Sequence, residues 1–556
     1  MPEYSSPGVY VEESDEGSKS VEGVSTSTAG FLGPTERGPV EPRLVTSYAA
    51  FERRYGTSPD GSNLDAAVAG FFDNGGGRCY VGRVTAAETP ATATLTDDDG
   101  DPVAMVTAAG PGEWAESVAV VVEDCPRTDE DSTTFQLRVR YWDCAVETVA
   151  DPGGSDPRPT PAVEEVHEDL TPDRESSQFY GKQLGSSVLV DVDHEGDGRP
   201  AGGLTWLDRD RPTGVADGGA VPADLGDRDR EALQSLAEGT QVEPDQSAAD
   251  IRADLRAVRE ESTDDGSRGG GADLTLADYR GEDAPGHRTG LAGLQQHDDI
   301  SLVCVPDEND VTGLTDAVVT HCERMGDRFA VLQAPQCPGP VSDIEPPVDS
   351  SYAGYYYPWL SVADPDTGTD RLVPPGGHVA GIIARSDAEH GVHKAPANET
   401  VRGALGLQHD LTKGEQDLLN PRGVNCIRSF QGRGIRLWGA RTTSSDPSWK
   451  YINVRRLFLY VEQSIDEGTQ WAVFEPNDRD LWARVRQSVE NFLTTVWRDG
   501  GLMGSTAEEA FYVECGEQTM TQDDVDNGRL IVEIGIAPVK PAEFVVFRIS
   551  QWTNDS

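Results

Sequence analysis

The amino-acid sequence predicts an α/β protein of several domains, α+β when its parts are taken together. It has a split α/β core, a β-rich insertion and a C-terminal α+β domain. Three observations predict it. Ile300–Pro306, Leu314–Met325 and Phe329–Gln333 read as strand, helix and strand, the signature of a right-handed parallel βαβ unit. Strands and helices of the same kind fill residues 29–84, well upstream. Short strands with polar turns lie between the two, and two helices with apolar stripes follow residue 450.

At 556 residues the chain has room for roughly three to five domains. Hydrophobic residues make up 37%, and with 60 glycines the composition is that of a globular protein. Charge is the outlier: 97 acidic residues against 46 basic ones give a net charge of −51, with six lysines and forty arginines. Carboxylates keep a protein hydrated where salt screens their mutual repulsion, so the balance reads as halophilic, an archaeal-like acidic proteome. No domain carries the basic excess that nucleic acid selects, which excludes it as a partner. No run of 18 apolar residues argues for membrane insertion, and no signal peptide precedes Gly8, so assembly in the cytoplasm is expected. The cysteines Cys79, Cys125, Cys144, Cys304, Cys322, Cys337, Cys426 and Cys515 form no CxxC pair and no zinc-like cluster, and read as buried free thiols in a reducing compartment.

Taken in order, residues 1–28 form an extended arm in which Val9-Tyr10-Val11 is a short strand ahead of an acidic, serine-rich tether. Ala29–Gly33 is a strand, Ser47 caps a helix reaching Tyr55, and Leu64–Phe72 is a second helix. Asn74–Arg78 is glycine-rich but precedes the strand Cys79–Val84 and follows a helix. A phosphate cradle needs the reverse order, so it reads as a helix end. Val118–Val122, Phe135–Val139 and Ser187–Val190 read as strands of the insertion. Residues 209–268 hold 15 acids and 8 arginines with almost no aromatics, an acidic, low-complexity excursion. Beyond the βαβ unit, Tyr355–Leu360 and Val379–Ala384 extend the core sheet.

In the C-terminal domain, Asn453–Ile465 carries Val454, Leu457, Phe458, Val461 and Ile465 on one side. Asp478–Gly500 is a capped helix with the stripe Leu481, Val485, Val489, Phe492 and Val496. Leu530–Ile536 is a strand. The final strand, Glu543–Ile549, is apolar on both faces: Phe544 and Val546 on one, Val545, Phe547 and Ile549 on the other. Such a strand is buried in a sheet, either its own or one in a neighbouring molecule.

Several blocks resemble contractile tail sheath proteins of phages and phage-tail-like contractile injection systems. They are Ser6-Pro7-Gly8-Val9-Tyr10-Val11-Glu12-Glu13, Gly30–Gly33 with Arg37-Gly38-Pro39, Leu419–Asn425, Trp438–Thr442, Trp449–Leu457, Phe474–Asp478, and Ala537-Pro538 through Arg548. They cover residues 1–90 and about 272–556 in order.

The resemblance implies a structural subunit, not an enzyme and without cofactor, that stacks as rings around an inner tube and contracts from a metastable extended state. It divides the chain into a linking arm (1–28), a split core (29–90 plus 272–420) and an outward-facing β-rich insertion (91–208). An acidic insertion (209–271) follows, then a tube-facing domain (421–556) ending in an exchanged strand at about 541–552. Linkage between subunits then falls to Val9, Tyr10, Val11, Phe544, Val545, Val546, Phe547 and Ile549. Implied partners are further copies in a helical homo-oligomer, an inner tube protein, and baseplate and tail-terminator or cap proteins, within a virus tail or a released extracellular particle.

Residues 421–456 hold eight basic groups (Arg422, Arg428, Arg433, Arg436, Arg441, Lys450, Arg455 and Arg456) and one acid, Asp446. Either local acids match them, or they attract an acidic tube or neighbour, with Lys450, Arg455 and Arg456 as the contact candidates; the resemblance favours a rival tube-facing site, the turn Thr521–Arg529 with Arg529. The alternatives are an α/β enzyme of unknown substrate and a passive surface-lattice protein. The sequence has no GxxxxGK[ST], HExxH, GxSxG or post-strand GxGxxG, and only His378, His390 and His393 suggest a metal. Without a nucleotide site, contraction would draw on energy stored at assembly.

Overall fold

The computed structural model describes residues 21–546 and Arg548, apart from positions 60, 88, 126–133, 144–159, 195, 197, 210–273 and 365–367. The Val9–Val11 strand, nearly all of the acidic excursion, Cys144, Phe547 and Ile549 lie outside the described residues.

A nine-stranded sheet is the backbone of the core. Its order is Glu399–Thr400, Gly434–Leu437, Val424–Phe430, Ala353–Tyr357, Phe329–Gln333, Leu302–Cys304, Ala29–Gly33, Cys79–Arg83 and Arg43–Val45. The strands from Val424–Phe430 across to Cys79–Arg83 run parallel, and the outer ones are antiparallel. Parallel strands are buried on both faces, which is why Ala29–Gly33 is apolar without alternation. Phe31 packs on one side with helices Tyr48–Tyr55, Leu64–Asp73 and Gly376–His390; Leu32 packs on the other with helix Leu314–Met325. The sheet does not stop at residue 420, because Val424–Phe430 pairs in parallel with Tyr355–Tyr357.

Val379–Ala384 is not a strand. It is the middle of helix Gly376–His390, whose residues Gly376–Ser386 are all buried. A helix enclosed on every side loses its polar stripe and reads as a bare apolar run. It crosses helix Leu64–Asp73 at glycines: a Cβ on Gly377 would strike the Ala67 carbonyl oxygen, and one on Gly381 that of Phe71.

The insertion has a four-stranded antiparallel sheet (Val118–Asp124, Phe135–Tyr141, Val163–Leu170, Gly203–Trp206) and a three-stranded one (Thr92–Thr96, Pro102–Ala108, Val190–His194) around a shared apolar core. The strand expected at Ser187–Val190 begins at Val190, because the Ser187 hydroxyl accepts from the Leu189 and Val190 amides at 3.1 Å and turns the chain first. The two ends of the insertion meet where Thr92 and Asp208 exchange both backbone hydrogen bonds at 2.9 Å. The described cysteines are buried apart from Cys337, which is exposed.

In the C-terminal domain, helices Ile452–Thr469 and Arg479–Arg498 pack with a hairpin of Phe511–Cys515 and Val532–Ile536. The whole expected stripe of the second helix is buried, and the Asp478 carboxylate accepts from the Asp480 and Leu481 amides. Among the described residues no helix is long and apolar enough to cross a membrane.

Gly377→Ala is expected to destabilise the protein by about 1–3 kcal/mol in urea unfolding, since the collision is with backbone. Gly77→Ala, which meets nothing within 4 Å, should be near neutral. His378, buried in the enclosed helix, is pushed down to about 4 by burial. The unfolded chain takes up this proton near 6.5, so the stability it contributes is present above that pH and is lost as pH falls toward 4. The expected loss between pH 7 and pH 5 is about 2 kcal/mol in urea unfolding, and His378→Gln should flatten it.

Candidate functional site

The two ends of the described chain leave the body close to elements of the basic run, and arginines of that run hold both. At the N-terminal side, Val21 is buried against Gly468, and the Val24 amide donates to Ser464 Oγ at 3.1 Å. Arg456 donates to the Thr26 carbonyl at 2.6 Å and grips the Asp387 carboxylate through both terminal nitrogens, at 3.0 and 2.8 Å. Both side chains of that pair are 3% exposed. Residues 21–28 are therefore part of the body, laid along helix Ile452–Thr469, and not a tether as expected.

At the C-terminal side the chain leaves the hairpin and is stitched down in steps. Met503 donates to the Ala537 carbonyl, Val539 donates to that of Gly501, and Asn453 Nδ2 donates to the Val539 carbonyl. The last of these anchors is Glu543. Its carboxylate accepts from Arg441 Nε at 2.7 Å and Nη2 at 2.8 Å, from Asn420 Nδ2 at 2.7 Å and from the Tyr451 hydroxyl at 3.1 Å. Lys450 Nζ lies 3.7 Å away. Burial would raise this carboxyl, but the hydrogen bonds from Arg441 and Asn420 and the Arg441 charge outweigh it and hold it below its ordinary value. Arg441 is fixed in turn by Asn425 of the large sheet, which accepts from its amide at 2.7 Å and donates to its carbonyl at 2.8 Å.

Directly after Glu543 the contacts end. Phe544, Val545 and Val546 are 72%, 70% and 76% exposed and lie in no strand. Phe544–Val546 pair with no strand among the described residues. The hairpin that precedes them is two-stranded among the described residues, so each strand has an edge without a partner there.

Two of the four expected contact residues are corrected. Arg456 is buried as described, and Arg455 is 5% exposed, packed between the rings of Tyr352 and Trp449 and near Glu462. Lys450 pairs with Glu543, and exposed Arg529 pairs with Asp523 and Asp524. The rest of the basic run is matched mostly by carbonyl oxygens and amides: Arg422 by Ser342 and Ile344, Arg428 by Leu411 and Gln416, Arg433 and Arg436 by Asn398. Local acids account for only part of it.

His378 is buried inside its helix while His390 lies exposed at the end of the same helix, and no described group of three His, Cys, Asp or Glu side chains could hold a metal. Phe474, quoted above only as part of a block, is fully exposed with φ of +68°, at the turn between the two C-terminal helices. An aromatic just ahead of the Glu-Pro-Asn-Asp capping segment was its only signal.

The described residues thus form an α/β body covered by helices, a small C-terminal domain and an exposed apolar end. Residues 281–443 match the phage tail sheath protein central domain and 444–551 the phage tail sheath C-terminal domain. Through residues 281–551 the chain belongs to the phage tail sheath family.

It is 27% identical over 191 residues to the tail sheath protein of Vibrio phage KVP40, covering 34% of this chain and 28% of that one. It is 29% identical over 182 residues to that of Burkholderia phage BcepMu, covering 30% of this chain and 37% of that one. The aligned part thus spans well under half of these relatives. The fold is shared with the sheath complex of an extracellular contractile injection system in its contracted state, at a TM-score of 0.53 and 21% identity over 99% of both chains.

Breaking the buried pair with Arg456→Gln should cost about 3–5 kcal/mol of unfolding free energy. Lys450→Gln should cost under about 1 kcal/mol, because that side chain is partly solvated. Chemical denaturation of the two variants side by side checks this.

Proposed function

We propose that this chain is the structural subunit of a contractile tail sheath, polymerising as stacked rings around an inner tube and contracting from a metastable extended state. It acts by packing and not by catalysis. The observation that carries this reading is the exposed apolar segment Phe544–Val546, in a chain whose C-terminal hairpin has open edges among the described residues. Helices cover one side of the hairpin but leave its strand edges open, and strand addition from another copy supplies the missing backbone bonds while large apolar side chains fix the register. Membership of the sheath family supports it.

In this reading Val9–Val11 and Phe544–Ile549 link neighbouring copies, and the C-terminal domain faces the tube. The exposed turn Thr521–Arg529, with its capped helix Gln522–Asp526, is the tube-facing element, since Arg455 and Arg456 are buried. Residues 91–208 face outward. Tube, baseplate and cap proteins are the partners, and the particle is assembled in the cytoplasm.

Electron microscopy of the purified protein in molar potassium chloride, with tube protein added, tests the reading. Full-length chains are expected to form hollow cylinders, and chains lacking residues 544–556 to remain folded and unpolymerised. Cylinders of equal length from both would remove the strand linkage; none from either would remove the sheath.

A further inference from the structure

The basic run is the one charged feature that the sheath reading leaves without a purpose. Each of its two best-held arginines makes the same kind of double connection. Arg441 holds Glu543, the last fixed side chain before the exposed strand, and through Asn425 it is bonded into the nine-stranded sheet. Arg456 holds the Thr26 carbonyl at the root of the N-terminal arm, and through Asp387 it is bonded to helix Gly376–His390, which packs on that sheet. Neither arginine belongs to the hairpin or to the arms. Each joins an arm root to the central domain across the junction of the two domains.

We propose that Arg441 is a force relay: tension on the C-terminal arm is delivered through it to the central sheet rather than to the small C-terminal domain from which that arm emerges. The inference rests on the strand-linkage reading above. The relay is tested at Glu543, which is only partly buried and whose loss leaves the core intact. A pull on Phe544–Val546 meets first the two parallel hydrogen bonds between Arg441 and Glu543, a geometry that resists displacement better than a point contact. Buried pairs are also screened little by salt, so the anchor persists in a concentrated electrolyte.

The experiment compares wild type, Glu543→Ala, Glu543→Gln, Lys540→Ala and the chain lacking 544–556. In the free subunit, Glu543→Ala should speed exchange of the Val539 amide, which donates to the Gly501 carbonyl, at least tenfold with the thermal midpoint unchanged, and Lys540→Ala should not. Assembled Glu543→Ala cylinders should break under controlled shear at least threefold faster than wild type, with Glu543→Gln, which keeps an acceptor for Arg441 and Asn420, between them. Exchange or breakage equal to wild type in Glu543→Ala, while the truncated chain fails to polymerise, overturns the relay and leaves the linkage standing. Normal cylinders from the truncated chain overturn both.

Discussion

A parallel sheet has to be covered on both faces, and this requirement organises the chain. Its strands come from residues 29–83, 302–357 and 399–437, so three separated segments must meet before the core closes. The helices that cover it arrive from each segment in turn. One of them, Gly376–His390, is enclosed so tightly that glycine alone fits where it crosses Leu64–Asp73. Everything peripheral is attached to this layer: the insertion leaves from the end of Cys79–Arg83, and the C-terminal domain follows its last strand.

Charge inside the chain obeys a different rule from charge on its surface. The acidic excess concerns solvent. Arg441 and Arg456 are used inward, where the guanidinium's several donors can serve a carboxylate and carbonyl oxygens at once. Arg456 does both, as does Arg441, which donates to the Asn420 carbonyl as well as to Glu543. A local surplus of positive charge therefore need not mark a surface for an acidic partner.

Local physics was legible in the sequence where it is expressed locally. The stripe from Leu481 to Val496 and its Asp478 cap sit within one helix, and both were readable. The βαβ unit at 302–333 was readable because its parts are neighbours. Val379–Ala384 was misread because complete burial removes periodicity. The strands at 424–437 were not assigned to the large sheet, since the pairing of Val424 with Tyr355 leaves no trace in either segment. The pairs Arg456–Asp387 and Arg441–Glu543 were hidden for the same reason: counting charges in a window sees one half of each. The apolar character of Phe544–Val546 was plain, and only the fold shows that no described strand pairs with it.

The bonds between Thr92 and Asp208 bring both ends of the insertion to one point. A domain hung from such a neck imposes no length or shape on the sheet that carries it. Its outer strands can be lengthened, replaced or decorated while the distance the core must span stays fixed. That face of the molecule is therefore free to diversify at its own pace, and it is the natural place to graft a foreign domain without disturbing the core fold.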